Sequence, residues 1–90
     1  MNKYLVEFLG TLFFLFVIIA VGNPLAIGAA LTIAVMLGGK ISGGNFNPAV
    51  SIMMLLKKDA KNSMHYGAKE CILYIVAQVL GGVAAFYYIK

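Results

Sequence analysis

Residues 4–21 form an eighteen-residue run interrupted only by Glu7, Gly10 and Thr11. This run constrains the fold most, because about 20 apolar residues in helical form cross the hydrocarbon of a bilayer, with a usual range of ~17–25. Two further runs follow. Residues 24–37 continue through Gly38 and Gly39 to Lys40, and residues 71–89 are broken only by Gln78. A segment in lipid must satisfy its own backbone, which predicts helices over about 4–21, 24–39 and 71–89. The middle one is short, and spans if Asn23 or the Gly-Gly end sits in the interface. The chain is 62% hydrophobic and 11% charged, against about 25% charged in a soluble domain. The expected fold class is therefore all-α integral membrane, as a single domain over 1–90.

Several alternatives fall away. A signal peptide fits poorly: the first run is long, carries Glu7, and lacks a small-x-small cleavage site near Gly22. The net charge of +4 does not indicate nucleic acid, since there is no arginine and the lysines lie between long apolar runs. Cys71 is the single cysteine, which excludes an internal disulfide. Glu7, Asp59 and Glu70 are the only acids and form no nucleophile–base constellation, so no enzymatic activity is expected. His65 and Cys71 have no metal-ligand companions, and the five methionines read as packing. No metal and no cofactor is expected.

Local signals set the connections. Gly22-Asn23-Pro24 is a tight turn, and proline suits the first helical position, where its missing N–H costs nothing. Such a short connection makes the first two helices antiparallel neighbours. Ala26, Ala30, Ala34 and Gly38 recur every fourth residue, as do Ala77, Gly81 and Ala85. Small-residue stripes of this kind let helices approach closely in lipid.

Residues 40–54 read KISGGNFNPAVSIMM. Gly43 and Gly44 disfavour helix through their backbone entropy, while Asn47-Pro48 is a strong helix start. An apolar stretch then runs to Leu56 before Lys57-Lys58-Asp59. At ~1.5 Å per residue this helix is about 13 Å long, under half a membrane. A short apolar helix led in by a glycine-rich coil reads as a re-entrant segment over 40–56, with Asn47 near the bilayer midplane. Irregular backbone survives at that depth only against protein or a water-filled cavity. An interfacial amphipathic helix is the alternative, but residues 48–56 lack the charged face it needs.

The stretch from Ile41 to Ser51, ISGGNFNPAVS, closely resembles the first signature loop of the aquaporin and glycerol-facilitator family. Val6-Glu7-Phe8-Leu9-Gly10-Thr11 is similar to that family's first-helix motif, and Ala77-Gln78-Val79-Leu80-Gly81-Gly82 to its third-helix motif. All three stand in the family's order at nearly its spacing. The resemblance implies three spanning helices plus one re-entrant half-helix, and a passive channel for water or small neutral solutes. It implies that Asn47 presents donors to the pore, with Pro48 and Ala49 shaping the turn. Glu7 and Gln78, with Gly43 and Gly44, would brace the loop. Ile27 matches the constriction position on the second helix, where water-selective members carry an aromatic. Asn45 stands where many members have histidine. Val50 occupies the place that carries arginine in the family's second repeat.

Full members of the family hold two inverted repeats with two Asn-Pro-Ala half-helices meeting at the midplane; this sequence shows one. Function then requires assembly, as an inverted homodimer or with a separate second-half polypeptide. The alternative is a non-conducting membrane subunit that modulates full-length channels. Lys3, Lys40, Lys57, Lys58, Lys61 and Lys69 fall on one side of the bilayer and only Lys90 on the other. This bias predicts a cytoplasmic N-terminus, in the cell membrane, and it conflicts with a homodimer that needs both orientations.

Overall fold

The computed structural model describes residues 2–57 and 67–89, with the side chain of Ile89 left aside. Lys58, Asp59, Lys61, His65 and Lys90 lie outside the described residues. Four helices follow in order: α1 (Lys3–Ala20), α2 (Pro24–Ser42), α3 (Pro48–Lys57) and α4 (Ala68–Ile89). α1, α2 and α4, of 18, 19 and 22 residues, are each long and apolar enough to cross a membrane. α3, with 10 residues, is not.

One device starts three of these helices. Asn2 Oδ1 accepts from Tyr4 N and Leu5 N, Asn23 Oδ1 from Leu25 N and Ala26 N, and Asn47 Oδ1 from Ala49 N. Each asparagine satisfies amides that the first helical turn leaves without intrahelical partners. Pro24 and Pro48 follow two of them as first helical residues. At the start of α4, Glu70 Oε1 accepts from Gly67 N at 3.0 Å instead. Between α1 and α2, Gly22 turns the chain at φ +68°, and its N–H donates to Val17 O at 3.2 Å.

The helix ends differ from the expected ones by a few residues. α2 runs past Gly39 to Ser42, because Gly38 is packed rather than loose. A Cβ there would meet Val6 Cγ1 at 2.7 Å. Gly43 stops the helix in the left-handed region at φ +94°, its N–H bonded to Gly39 O at 2.8 Å. α4 begins at Ala68 rather than Cys71 because Glu70 closes a polar first turn onto Gly67.

α1 packs against both α2 and α4, and α3 packs against α4. The small-residue stripes sit at these contacts: Ala30, Ala34 and Gly38 are buried on α2, and Ala77, Gly81 and Ala85 on α4. Ala26 is half-buried. At Gly81 the approach is backbone to backbone, with Phe8 O 2.6 Å from where a Cβ would stand.

The burial pattern is inverted relative to a soluble domain. The largest fully buried side chains are Phe46, Gln78, Glu7, Thr11 and Ser51, while Leu25, Leu56 and Tyr88 are about 80% exposed. Buried polar groups need partners inside the protein, and outward apolar side chains need a solvent as apolar as themselves. Lipid is that solvent, and the protein is an integral membrane protein of all-α fold.

Candidate functional site

Glu7, one turn into α1, is wholly buried, and its carboxylate is the hub of the structure. Oε2 accepts from Ser42 Oγ at 2.6 Å and from Asn45 N at 3.1 Å. Oε1 accepts from Phe46 N at 2.8 Å and from Gln78 Nε2 at 2.7 Å. Four donors therefore converge on two oxygens, matching the acceptor capacity of a carboxylate. They come from α2, the 43–47 loop and α4, so one side chain fixes the loop against three helices. Taking a carboxylate out of water is costly unless such partners replace the water, and this set replaces it fully.

A second layer extends the hub to α3. Ser51 Oγ accepts from Gln78 Nε2 at 2.8 Å and from Asn45 Nδ2 at 3.1 Å. Cys71 Sγ donates to Ser51 O at 3.5 Å, and Tyr74 Oη to Ser42 O at 2.5 Å. The loop itself is shaped by three consecutive devices. Gly43 and Gly44 take positive φ, Gly44 N donates to Ser42 Oγ at 3.1 Å, and Phe46 is held at φ +53°. A positive φ is unfavourable for phenylalanine, and two features hold it there. Its N–H is bonded to Glu7, and its ring fills the slot left by the missing side chains of Gly10 and Gly38. A Cβ on Gly10 would stand 2.2 Å from the ring, and one on Gly38 3.2 Å away.

Beyond Phe46 the chain emerges at Asn47, which is exposed. Its Oδ1 is used by Ala49 N at 2.8 Å, which leaves the amide Nδ2 without a partner among the described residues. Asn47 and Pro48 form part of the wall of an open groove of about 670 Å³ between α1 and α4, with Thr11, Gln78 and the aromatic rings of Phe14 and Phe86. Thr11 Oγ1 and Gln78 Oε1 are buried without hydrogen-bond partners among the described residues.

The sequence profile of the family described as Major intrinsic protein matches residues 1–90. The chain belongs to that family. It is 41% identical over its full length to a glycerol uptake facilitator protein-like 6 of Lactiplantibacillus plantarum, covering 43% of that protein. Over 94% of its length it is 40% identical to an aquaporin Z of Brucella melitensis, covering 41% of it. Over 71% of its length it is 39% identical to the aquaglyceroporin AqpS of Rhizobium meliloti, covering 25%. The chain thus spans about two fifths or less of these relatives. No solved structure matches it.

Within this major intrinsic protein the residues singled out from the sequence fall into three groups. Glu7 and Gln78 meet directly, while Gly43 and Gly44 serve the same loop through their backbone conformation. Asn47 and Pro48 meet at the groove. Ala49 is exposed and Val50 half-buried in the first turn of α3, and Ile27 is half-buried near the start of α2. None of these last three lines that groove. The sequence reading overlooked Ser42, Asn45, Phe46, Ser51 and Tyr74 as members of the network, and Thr11 as a buried polar group on its edge. A signal was present for two of them. Thr11 is four residues after Glu7 on one helical face, and Ser51 is the one polar residue of α3 before Lys57.

Proposed function

We propose that this chain forms one half of a passive membrane channel for water and small neutral solutes, with α3 as a re-entrant half-helix. The observation that carries the reading is the Glu7 hub. It holds residues 42–46 so that Asn47 caps a ten-residue apolar helix and faces an open groove. A helix N-terminus carries roughly +0.5 of an elementary charge and free N–H groups, and the Asn47 amide adds donors. A passing water turns its oxygen toward these donors, which interrupts a proton wire, and the same field repels cations. Pro48 and Ala49 shape the turn that aims them.

The groove is open on one side, so the channel is enclosed only after assembly with an inverted second half, whichever polypeptide supplies it. Ile27 and Val50 would contribute to the constriction on surfaces that this second half completes. Lys3, Lys40, Lys57 and Lys69 lie at the helix ends that share one side of the bundle, which favours a cytoplasmic N-terminus in the cell membrane. The test is osmotic shrinkage of vesicles carrying the reconstituted chain, followed by light scattering. Water flux above that of empty vesicles is expected, with Asn47→Leu abolishing it while still inserting. Undiminished permeability in Asn47→Leu overturns the pore assignment.

A further inference from the structure

Ser42, the last residue of α2, departs from what a helical serine ordinarily does. Such a hydroxyl returns its proton to the carbonyl four residues back, and Thr32 of the same helix does so, its Oγ1 donating to Gly28 O at 2.8 Å. Ser42 Oγ instead stands 3.4 Å from Gly38 O and 2.6 Å from Glu7 Oε2. A hydroxyl has one proton to give, and here it goes to Glu7, while the same oxygen accepts from Gly44 N at 3.1 Å. A turn of the side chain toward Gly38 O would take a donor from Glu7 and draw the acceptor away from Gly44 N.

The Ser42 carbonyl departs from the helix as well. One more turn of α2 would bond it to the amide four residues on, but that amide, Phe46 N, donates to Glu7 Oε1 at 2.8 Å. The donor that takes its place is the Tyr74 hydroxyl of α4, 2.5 Å from Ser42 O. Among the described residues α2 packs on α1 and not on α4, so this bond supports the end of α2 from the side that packing leaves open. Tyr74 is buried, and its ring is steadied by Tyr4 of α1, with centroids 5.7 Å apart and planes at 88°.

We propose that Tyr74 is a positioning residue for Asn47. Its hydroxyl replaces Phe46 N as the donor to Ser42 O, which keeps the Ser42 proton on Glu7 and frees the Phe46 amide for the same carboxylate. The effect passes through Ser42, Glu7 and Phe46 to the residue that follows. Without the hydroxyl, the nearest backbone donor for Ser42 O is Phe46 N, and the loop is drawn toward a further helical turn at the expense of the Glu7 bonds. What Asn47 does once positioned rests on the pore reading; the placement itself does not.

Tyr74→Phe keeps the ring and its contact with Tyr4 and removes only the hydroxyl. The measurement is amide hydrogen exchange of the isotope-labelled chain in detergent micelles, followed residue by residue by NMR. Exchange of the Asn45 and Phe46 amides should quicken about tenfold, the equivalent of one lost hydrogen bond. Exchange of Phe14 and Val79, in the middle of α1 and α4, should stay as in the parent chain. Ser42→Ala should quicken the same two loop amides, and the double variant should add little to the larger single effect. Tyr4→Leu, which keeps the hydroxyl but removes the ring beside it, should give a smaller change of the same pattern. Unchanged exchange at positions 45 and 46 in Tyr74→Phe overturns the role. So does uniform quickening along the helices, which marks a general loss of stability, and so does full additivity with Ser42→Ala, which marks two separate contacts. In the vesicle assay Tyr74→Phe should lose water flux several-fold, and undiminished flux beside altered exchange overturns the link to Asn47. The expected exchange pattern in a parent chain that conducts nothing counts against the pore reading alone.

Discussion

Glu7 accepts four hydrogen bonds and donates none, which makes Glu7→Gln a sharp probe despite its equal size. The glutamine amide keeps one acceptor oxygen and turns the other position into a donor, facing two of the four N–H or O–H groups with a second donor. The Ser42 hydroxyl and the Gln78 amide can turn to accept instead, but the backbone N–H of Asn45 or of Phe46 cannot, and a buried polar group left unsatisfied costs about 1–3 kcal/mol. Glu7→Gln is expected to lower the thermal unfolding midpoint in detergent micelles by several degrees, with helix content retained below the transition. An unchanged midpoint would mean that the hub does not brace the loop. Gln78→Leu should also destabilise, by removing one donor from Glu7 and one from Ser51 together. Its midpoint change combined with that of Glu7→Gln should be less than additive, because the two side chains share a bond.

The helices obey a simple rule: small residues where backbones meet, large apolar ones where lipid is the neighbour. Two glycine substitutions separate these roles. Gly81→Ala would place a Cβ 2.6 Å from Phe8 O, and since backbone cannot swing aside, α1 and α4 must move apart. Overpacking of this kind costs about 1–3 kcal/mol. Gly28→Ala meets nothing within 4 Å, so it should stabilise by roughly 0.5–1 kcal/mol through backbone entropy alone. Opposite shifts in the micelle unfolding midpoint are the expected result, and shifts of the same sign would contradict the packing. These roles were partly legible beforehand. The apolar runs, the Asn-Pro helix starts and the every-fourth-residue stripes each depend on local chemistry, which a sequence displays. Glu7 and Gln78 stand out as polar residues inside apolar runs, and their bracing role comes from the resemblance of the motifs that carry them. The positive φ of Phe46 and its place between Gly10 and Gly38 were not legible, since they arise from contacts of the loop with α1, 36 residues away in the sequence at Gly10, and with the body of α2 at Gly38. The hydroxyl of Ser42 was hidden for the same reason: serine beside a glycine-rich loop is ordinary until the fold aims it at a carboxylate.

At the scale of the whole molecule, the two ends of the bundle differ in charge. The end formed by the start of α1, the ends of α2 and α3 and the start of α4 carries Lys3, Lys40, Lys57 and Lys69, whereas the turn between α1 and α2 carries no charge. Basic residues near helix ends resist translocation, so one orientation is expected. That expectation bears on assembly, because a pore built from two inverted copies of this chain needs both orientations in the same membrane. Single cysteines introduced as Lys40→Cys and Val21→Cys, each with Cys71→Ser, mark the two ends at exposed positions. In intact cells, a membrane-impermeant maleimide should reach the Val21→Cys site from outside and leave the Lys40→Cys site unlabelled until the membrane is opened. That outcome assigns the inverted half to a different stretch of polypeptide and keeps the lysine end cytoplasmic. Partial labelling of both sites from outside would show two populations of opposite orientation. The charge bias would then have been overcome, and two copies of this chain would suffice to enclose the groove in front of Asn47.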